Sequence, residues 1–531
     1  MIIRCSPRKR LRGFHDNNQV LTRAMRKEKF LEKVLTARVY DVARESPLDF
    51  MPKISRRLDN QTYIKREDLQ PVFSFKCRGA FNKIFQVLQE NPELSGVITA
   101  SAGNHAQGVA LAAKKLHLKA TIVMPTTTPD IKVTAVRAYG AKVVLYGENF
   151  DAARDHALIL AKKEELAFIH PFDDYDVMAG QGTIAHEIIR QHPGRIDAIF
   201  VAVGGGGLIG GIAGFIKAVK PETKIIAVEP DDSACFHAAR KAGRRVKLKE
   251  VGTFADGVAV KQIGKNNWAM TKDLVDDVVL VNTDQICAAI KDTYEDTRAI
   301  CEPSGALSLA GLKKYVELHG IKDQTLVAIN CGANMNFDRL RHVAERAEIG
   351  ENREALLAIE IPERPGSFKR LCQLIGHRSI TEFNYRYADA TTAHVFTGVQ
   401  LTHGVNEKNK LIEKLGNKGY NVIDMTGNEV AKLHTRYMIG GQAGGVVNNE
   451  LLYRFQFPDK PGALLNFLMK VGDRWNISLF HYRNHGSNFG RILMGFQVDR
   501  EDARDFQTFL KSIDIPYWDE TANEAYQLFL K

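Results

Sequence analysis

Lys76 is the residue of this sequence best suited to covalent chemistry. It lies in "PVFSFKCRGA" (71–80), between aromatic and small residues. An amine that such neighbours draw out of bulk water has a lowered pKa and becomes a nucleophile. A surface lysine beside the start of a helix would have the same local sequence, so both interpretations stay open at this point.

Four consecutive glycines form a second candidate site. The run from Gly204 to Gly207 follows an apolar strand pattern and opens a helical one, so its N–H groups can bind a phosphate. No Gly-Lys-Ser/Thr follows, which excludes a P-loop. Gly205, Gly207 and Gly210 also fit G-x-G-x-x-G, with Glu229 at the end of the next strand. A phosphate site, a nicotinamide site and a purely structural turn are therefore alternatives.

A third candidate is the polar segment "SAGNHAQG" (101–108), between a predicted strand and a helix. Ser101, Gly103 and Asn104 would then lie at the carboxyl edge of a sheet, where ligands of α/β proteins bind. Amides at a helix start suit a carboxylate, and Asn104 can offer a donor and an acceptor to a phenolic oxygen. Capping of the helix by Asn104 is the alternative.

The elements that must position these residues alternate along the chain. Continuous apolar runs predict strands that are buried on both faces of a parallel sheet, at 96–100, 119–125, 141–146, 198–203, 224–230 and 325–330. Helical patterns follow at 105–116 and 129–140. The uncharged stretch 198–216 is rich in glycine, so we interpret it as strand, loop and helix and expect no membrane span.

The pattern changes after about residue 350, where an internal repeat begins. Residues 361–387 match 457–484, each copy reading as strand, Pro-Gly turn, helix and strand, and each ending in Tyr-Arg. The glycine-rich segment 439–449 would link the two copies. The sequence thus predicts a tandem pair of small β/α units after an α/β body.

Length and charge bound the remaining possibilities. A chain of 531 residues predicts two to four domains. Residues 1–35 hold ten Lys and Arg against three acids, so most of the net charge of +11 lies in this arm. We interpret the arm as a solvated extension and expect no nucleic acid partner, while organellar import by the arm remains an alternative. Seven cysteines without a CxxC pair favour a reducing compartment and disfavour structural zinc.

Seven motifs in order closely resemble those of the biosynthetic threonine dehydratases (threonine ammonia-lyases), which are fold-type II pyridoxal phosphate enzymes. They are "KREDLQPVFSFKCRGA" (65–80), "ASAGNHAQGVA" (100–110), "IVMP" (122–125), "VAVGGGGLIGG" (201–211), "FADGVAV" (254–260), "EPSGA" (302–306) and "NCGANMNFDRL" (330–340). The tail resembles their regulatory ACT-like pair. The resemblance implies an α/β, tryptophan synthase β-like catalytic domain with parallel sheets and tandem α+β ACT-like domains.

The resemblance also implies roles for individual residues. Lys76 would form the Schiff base with pyridoxal 5'-phosphate, and Asn104 would hold the ring hydroxyl oxygen. Ser101, Gly103 and His105 would receive the substrate carboxylate. Cofactor phosphate would lie on Gly204, Gly205, Gly206, Gly207 and Leu208.

Cys331 stands where the family places a serine or cysteine facing the pyridine nitrogen. A neutral thiol makes the ring a weaker electron sink, which favours elimination over transamination. The expected reaction is dehydration of L-threonine by Lys76, giving 2-oxobutanoate and ammonia for isoleucine synthesis. A serine-directed dehydratase or β-replacing synthase, a nicotinamide oxidoreductase and a catalytically inactive amino-acid sensor are the alternatives.

The resemblance implies that isoleucine inhibits the enzyme and that valine is the opposing effector. The candidate effector-binding residues occupy matching points of the two repeats: Tyr385, Arg386, Tyr482 and Arg483. Arginine can clamp a carboxylate and tyrosine can line an apolar pocket, although packing at a domain interface is the alternative role. We expect an arm (1–36), a catalytic domain (37–347) and ACT-like domains at 354–428 and 449–531. A cytoplasmic homotetramer is the expected assembly.

Overall fold

The computed structural model describes residues 27–387, 391–438, 447, 449–458, 463–471, 474–483, 489–513 and 515–530. The chain divides between Ala347 and Glu348 into two compact units. In these residues no helix has the length and apolarity needed to cross a membrane. Nor do the described side chains include a group of three or more His, Cys, Asp and Glu that could hold a metal ion.

The first unit alternates helices and strands. Its helices are α1 (Lys27–Leu35), α2 (Pro52–Leu58), α3 (Lys76–Glu90), α4 (Asn104–Lys115), α5 (Asp130–Arg137), α6 (Phe150–Lys163), α7 (Tyr175–Gln191), α8 (Gly207–Val219), α9 (Cys235–Ala242), α10 (Lys265–Thr271), α11 (Thr283–Thr297), α12 (Pro303–His319) and α13 (Arg339–Gly350), whose last turn enters the second unit. Its strands are β1 (Leu48–Phe50), β2 (Gln61–Arg66), β3 (Gly96–Ala100), β4 (Lys119–Met124), β5 (Lys142–Leu145), β6 (Ala167–Phe168), β7 (Ala198–Ala202), β8 (Lys224–Pro230), β9 (Asp277–Val281) and β10 (Thr325–Asn330).

These strands form two sheets. One has the order β1-β2-β10-β7-β8-β9, with β1 antiparallel and the other strands parallel, and the other is the parallel sheet β5-β4-β3-β6. Every residue of β3 and β7 is buried, as expected for strands covered on both faces. The predicted parallel α/β body is confirmed. The carboxyl ends of β3, β7 and β10 lead into the 101–108 segment, the glycine run and Cys331.

Helix α1 differs from the predicted solvated arm. Phe30 and Val34 are buried in the main core of the first unit. Phe30 packs on α8 so closely that a Cβ on Gly214 would lie 2.5 Å from its ring. The prediction of a solvated extension is therefore wrong for residues 27–35, because an amphipathic helix buries one apolar stripe while its lysines stay in water. Residues 1–26 of the arm lie outside the described residues.

The second unit is one antiparallel sheet covered by helices. Its helices are α14 (Ser367–Ile375), α15 (Gly404–Gly416), α16 (Glu429–Leu433), α17 (Ala463–Val471), α18 (Ala503–Ser512) and α19 (Glu524–Phe529). Its strands are β11 (Glu354–Pro362), β12 (Ile380–Arg386), β13 (Thr392–Gln400), β14 (Asn421–Asp424), β15 (Glu450–Pro458), β16 (Asn476–Arg483), β17 (Phe489–Gln497) and β18 (Tyr517–Asp519). The strand order is β14-β11-β13-β12-β16-β17-β15-β18.

The two repeats join within this sheet. Strand β12 of the first repeat pairs antiparallel with β16 of the second, with Tyr385 opposite Phe480. Phe383 and Phe480 pack edge to face at 5.3 Å, and residues of both repeats belong to one core. The repeat is thus confirmed as two similar units, but they share a sheet and a core. Most of the predicted linker 439–449 lies outside the described residues.

Candidate active site

Lys76 is the first residue of α3, and the chain before it pairs with the segment after β10. Ser74 forms a bridge with Gly332, and the N–H of Phe75 donates to the carbonyl of Cys331 at 3.3 Å. On the other side, a Cβ on Gly108 of α4 would lie 3.1 Å from the Lys76 carbonyl. Lys76 is thereby fixed between the loop that holds Cys331 and the helix that starts at Asn104.

The Lys76 amine lies in a partly buried environment. Its Nζ donates to the carbonyl of Pro171 at 3.4 Å and lies 5.1 Å from the ring centroid of Phe75. Loss of water around the ammonium lowers the pKa of Lys76 to about 8, against the smaller opposing effects of Cys331 and Glu302. The structure therefore favours a nucleophilic amine over an ordinary surface lysine.

A buried ion network anchors the first turn of α3. Arg78 donates to Glu67 at 2.8 Å and to Glu187 at 2.5 Å, and all three side chains are fully buried. Lys65 pairs with Glu187 at 2.6 Å. Buried charges persist only when they are paired and hydrogen-bonded, so this network holds α3 in one position.

Asn104 faces the same region as Lys76. Its Nδ2 donates to Glu302 at 2.7 Å, and its Oδ1 accepts from Asn334 at 2.8 Å. Helix α4 begins at Asn104 with Gly103 at the N-cap and no side-chain cap. The alternative that Asn104 caps the helix is therefore wrong, and its amide remains available for a ligand.

The other residues predicted to bind substrate are placed differently. Ser101 Oγ accepts the N–H of Gly103 at 3.3 Å, and a Cβ on Gly103 would meet no atom within 4 Å, so the backbone there faces open space. The imidazole of His105 is buried, with Nε2 3.1 Å from the carbonyl of Ile169. Burial lowers the pKa of His105 to about 3, so its ring is neutral, and only its backbone N–H can face a carboxylate.

The glycine loop fits a bound phosphate. Gly206 has φ of 94°, the left-handed conformation that favours glycine, and α8 begins at Gly207. A Cβ on Gly205 would lie 2.3 Å from the ring of Phe172, next to the Pro171 that accepts from Lys76. N–H groups in the first turn of a helix have no partner inside it, so those of Gly207 and Leu208 can receive an anion.

Glu229 has a different task from the one that the nicotinamide alternative needs. Its carboxylate is buried and accepts the backbone N–H groups of Phe236 and His237, each at 2.8 Å. It therefore stabilises the start of α9 and cannot hold a ribose hydroxyl. Burial raises the pKa of Glu229 to about 7.

Cys331 follows β10 directly and is buried beside Lys76. Its Sγ lies 3.2 Å from the carbonyl of Ser304, to which it donates. Burial, with Glu302 nearby, raises the pKa of Cys331 well above that of an ordinary thiol, so it stays protonated at neutral pH. Six cysteines of the described chain are free and buried.

Sequence reasoning assigned no role to four contributors to this site. Glu302, within the "EPSGA" motif, binds Asn104, and Asn334 binds the same amide. Pro171 and Phe172 lie between Lys76 and the glycine loop. An acid directly before a proline at the start of a helix was the available signal for Glu302. Asn334 lies within the "NCGANMNFDRL" motif (330–340), whereas nothing local marks Pro171 and Phe172.

The predicted effector residues lie at the join of the two repeats. Tyr385 is buried and donates to Glu363 at 2.6 Å, while Arg386 binds both carboxylate oxygens of Glu450, at 2.5 and 3.1 Å. Tyr482 is buried in the shared core. The side chain of Arg483 lies outside the described residues. These placements support a packing role for Tyr385 and Tyr482. A ligand that binds Arg386 would contact a guanidinium that is already paired with Glu450.

A cavity of about 460 Å³ lies beside Arg386 in the first repeat. Asn384 and Arg386 of β12 line one side, and the segment from Met425 to Met438 lines the other. Asn384 Oδ1 and Arg386 Nε are buried and have no hydrogen-bond partner in the described part of the chain. One unpaired acceptor and one unpaired donor therefore border a largely apolar space.

Comparison with known proteins agrees with this geometry. Residues 39–332 match the family of pyridoxal-phosphate dependent enzymes. Residues 345–435 and 442–530 match the C-terminal regulatory domain of threonine dehydratase. The L-threonine dehydratase biosynthetic IlvA of Burkholderia multivorans is 53% identical, with 94% of this chain and 99% of that protein covered. The L-threonine dehydratase biosynthetic IlvA of Escherichia coli is 51% identical, and the match covers 97% of this chain and 99% of that protein.

A solved structure gives the same result. The processed form of threonine deaminase isoform 2 from Solanum lycopersicum superposes with a TM-score of 0.59 at 53% identity, and covers 61% of this chain and 88% of its own. The catalytic domain and the regulatory tail are therefore shared with these relatives. This chain belongs to the family of biosynthetic threonine dehydratases, pyridoxal-phosphate dependent enzymes with a C-terminal regulatory domain.

Proposed function

We propose that this protein is a threonine ammonia-lyase, which converts L-threonine to 2-oxobutanoate and ammonia in the first committed step of isoleucine synthesis. The observation that carries the proposal is Lys76, an amine with a pKa of about 8 fixed between Cys331 and the Asn104 loop. Bound pyridoxal phosphate supplies an aldehyde that bonds to amines and a ring that withdraws electrons from the substrate Cα.

Lys76 acts as nucleophile and as general base in this proposal. A pKa of about 8 leaves part of the amine neutral at physiological pH, and that form takes up the substrate Cα proton. The N–H groups at Gly207 and Leu208 hold the phosphate, and Asn104 holds the ring oxygen. The backbone at Ser101 and Gly103 binds the substrate carboxylate, with the N–H of His105 and not its ring.

Cys331 decides which reaction follows. Its thiol stays protonated and donates to the carbonyl of Ser304, so it offers no negative charge to a pyridine nitrogen beside it. Without a negative charge from Cys331, a bound pyridoxal phosphate ring would withdraw electrons less strongly, which would favour loss of the β-hydroxyl over transamination.

The reaction is tested with the holoenzyme and two amino acids. We expect 2-oxobutanoate from threonine alone, faster than pyruvate from serine. Lys76→Ala should lower the rate by at least about 100-fold, the usual contribution of a general base. Lys83→Ala is the matched control, because Lys83 lies on the same helix but pairs with Asp174 at 2.8 Å. Full activity of Lys76→Ala, or turnover of serine alone, would refute the assignment.

We further propose that the cavity beside Arg386 binds the amino-acid effector. The unpaired Nε of Arg386 suits a carboxylate and the unpaired Oδ1 of Asn384 suits an ammonium. Phe396 and Met425 line the space between, as a branched apolar side chain requires. A volume of about 460 Å³ lies in the usual range for small-molecule sites. Isoleucine is the proposed inhibitor and valine the opposing effector.

Filling this cavity tests the effector proposal. Ala358 lines the cavity and is only partly buried, so Ala358→Leu should occupy it. We expect inhibition by isoleucine to weaken at least tenfold while activity without isoleucine is retained. Ala503→Leu, at the exposed start of α18, is the matched control and should leave inhibition intact. Unchanged inhibition in Ala358→Leu would place the effector elsewhere.

A cytoplasmic homotetramer completes the proposal. Light scattering on the purified chain should give four times the chain mass of 59.3 kDa. A monomer or dimer at working concentration would contradict it.

A further inference from the structure

The carboxyl of Glu302 lies close enough to Lys76 to raise its pKa, and the proposed mechanism gives it no task. It lies at the N-cap of α12 and is 2% exposed. Its backbone N–H donates to the carbonyl of Gly332 at 3.0 Å. A Cβ on Gly332 would lie 2.6 Å from Glu302 Oε1. The glycine at position 332 therefore makes room for this carboxyl at the site.

The hydrogen bonds around Glu302 fix the orientation of a second side chain. A carboxylate can only accept, so the group of Asn104 that faces it at 2.7 Å is Nδ2. Asn334 Nδ2 donates to the other end of the same amide, at Oδ1, at 2.8 Å, and also to the carbonyl of Val72. Nδ2 carries two N–H bonds, and Glu302 takes one of them. The second remains for a ligand of Asn104.

Charged groups reach Glu302 from several elements. Lys76 of α3, Asp256, Lys132 of α5 and the thiol of Cys331 all interact with it electrostatically. Lys132, the cation on the far side, is already paired with Asp256 at 2.7 Å. Burial, followed by the charge of Asp256, raises the pKa of Glu302 to about 7. The N–H groups of Asn104 and Asn334 and the charge of Lys132 lower this pKa, but by less.

We propose that Glu302 is a positioning residue whose carboxyl gains and loses a proton near neutral pH. The carboxyl holds the Asn104 amide in one orientation, and its charge sets the protonation state of Lys76 and of the cofactor's ring oxygen. This proposal rests on the proposed cofactor site. Above neutral pH the ionised carboxylate strengthens its bond to Asn104, because charge-assisted hydrogen bonds are the stronger ones. Below neutral pH the protonated carboxyl holds the amide weakly.

The test uses the visible absorbance of the holoenzyme between pH 5.5 and 8.5. The wild type should show a spectral step with a midpoint near pH 7, as the pKa of Glu302 implies. Glu302→Gln should abolish the step and weaken cofactor binding at least tenfold. Glu229→Gln is the matched control, since Glu229 is also buried with a pKa of about 7 but caps α9. A step that survives in Glu302→Gln would overturn the proposal.

A second measurement does not use the cofactor. The charge of Glu302 raises the pKa of Lys76, so in cofactor-free protein Glu302→Gln should lower it below about 8. The pH dependence of Lys76 acylation measures this, and Glu229→Gln should leave it unchanged. An unchanged Lys76 midpoint in Glu302→Gln would also overturn the proposal.

Two further controls separate the possible failures. If Glu302→Gln does not fold, Asn104→Ala should remove the same spectral step, and a step that persists there refutes the positioning role. Formation of 2-oxobutanoate by the wild type tests the proposed function independently. If the wild type forms no 2-oxobutanoate but shows the Glu302-dependent spectral step, the proposed reaction is refuted and the proposed role of Glu302 is not.

Discussion

Lys76 owes its reactivity to the residues that surround it. Pro171 accepts a hydrogen bond from its amine at 3.4 Å, and the ring of Phe75 lies beside the amine. Neither neighbour offers a full negative charge, so burial dominates and the neutral amine is favoured. Arg78, two residues later, shows the opposite case, since its charge is matched by Glu67 and Glu187.

This contrast between lysines can be measured in cofactor-free protein. We expect Lys76 to react with an amine-directed acylating reagent with a midpoint near pH 8, because burial lowers its pKa to about 8. Lys83 should react only at much higher pH, because Asp174 and Asp176 raise its pKa. Competitive labelling followed by peptide mapping gives both midpoints at once. A Lys76 midpoint equal to that of exposed lysines would contradict the account.

The residue types at the site could be predicted from the sequence, but their partners could not. Lys76, Asn104 and Cys331 were singled out by motifs, and the motif of Cys331 lies more than 200 residues after the other two. The bond between Asn104 and Glu302 spans 198 positions, and no local pattern encodes such a pairing. His105 was predicted to face substrate, yet its ring is buried, because α4 is covered on all sides from His105 to Ala110.

At the scale of elements, the glycine loop depends on one backbone conformation. Gly206 has φ of 94°, and a Cβ there would lie 2.9 Å from the side chain of Asn267. Any other residue would therefore be strained and would push the loop away from α10. The N–H groups that follow at Gly207 and Leu208 would move with it.

Two glycine substitutions separate strain from function. Gly206→Ala should weaken cofactor binding more than tenfold. Gly243→Ala is the matched control: Gly243 also has positive φ, at 66°, but its Cβ would meet nothing within 4 Å. Both should lose about 1–2 kcal/mol of stability from the left-handed backbone. Equal cofactor affinity in the two variants, measured by fluorescence titration, would show that the loop does not hold the phosphate.

Strands were predicted more reliably than the short amphipathic helix α1. The apolar runs at 96–100 and 198–203 are long enough to specify buried strands, and β3 and β7 confirm them. In α1 only Phe30 and Val34 are buried, among charged residues. In the sequence alone, its lysines and glutamates therefore look like a solvated run of charges, because nothing local indicates that α1 packs on another helix.

At the scale of the whole molecule, the regulatory unit is a single folded body. The two repeats share one eight-stranded sheet, joined where β12 pairs with β16. Phe383 comes from the first repeat and Phe480 from the second, and both are fully buried in the same core. The repeat could be predicted from sequence similarity. The shared sheet could not be predicted, because the strand pattern of each copy is equally compatible with a separate sheet for each repeat.

The shared core predicts cooperative unfolding of the two repeats. Phe383→Ala and Phe480→Ala should each destabilise the same thermal transition by about 3–5 kcal/mol, the usual cost of removing a buried phenylalanine. Met469→Ala, at a side chain that is 51% exposed, is the control and should change little. Differential scanning calorimetry of the full chain records the transitions. Separate transitions, each shifted by only one of the two phenylalanine variants, would mean that the repeats fold independently.

The covalent attachment of the cofactor tests the central claim most directly. Reduction of the holoenzyme with borohydride, followed by proteolysis and mass spectrometry, identifies the lysine that carries the phosphopyridoxyl group. We expect this group on Lys76 in every modified peptide, and none on Lys83 or Lys65. A phosphopyridoxyl group on another lysine, with Lys76 unmodified, would contradict the account of this site.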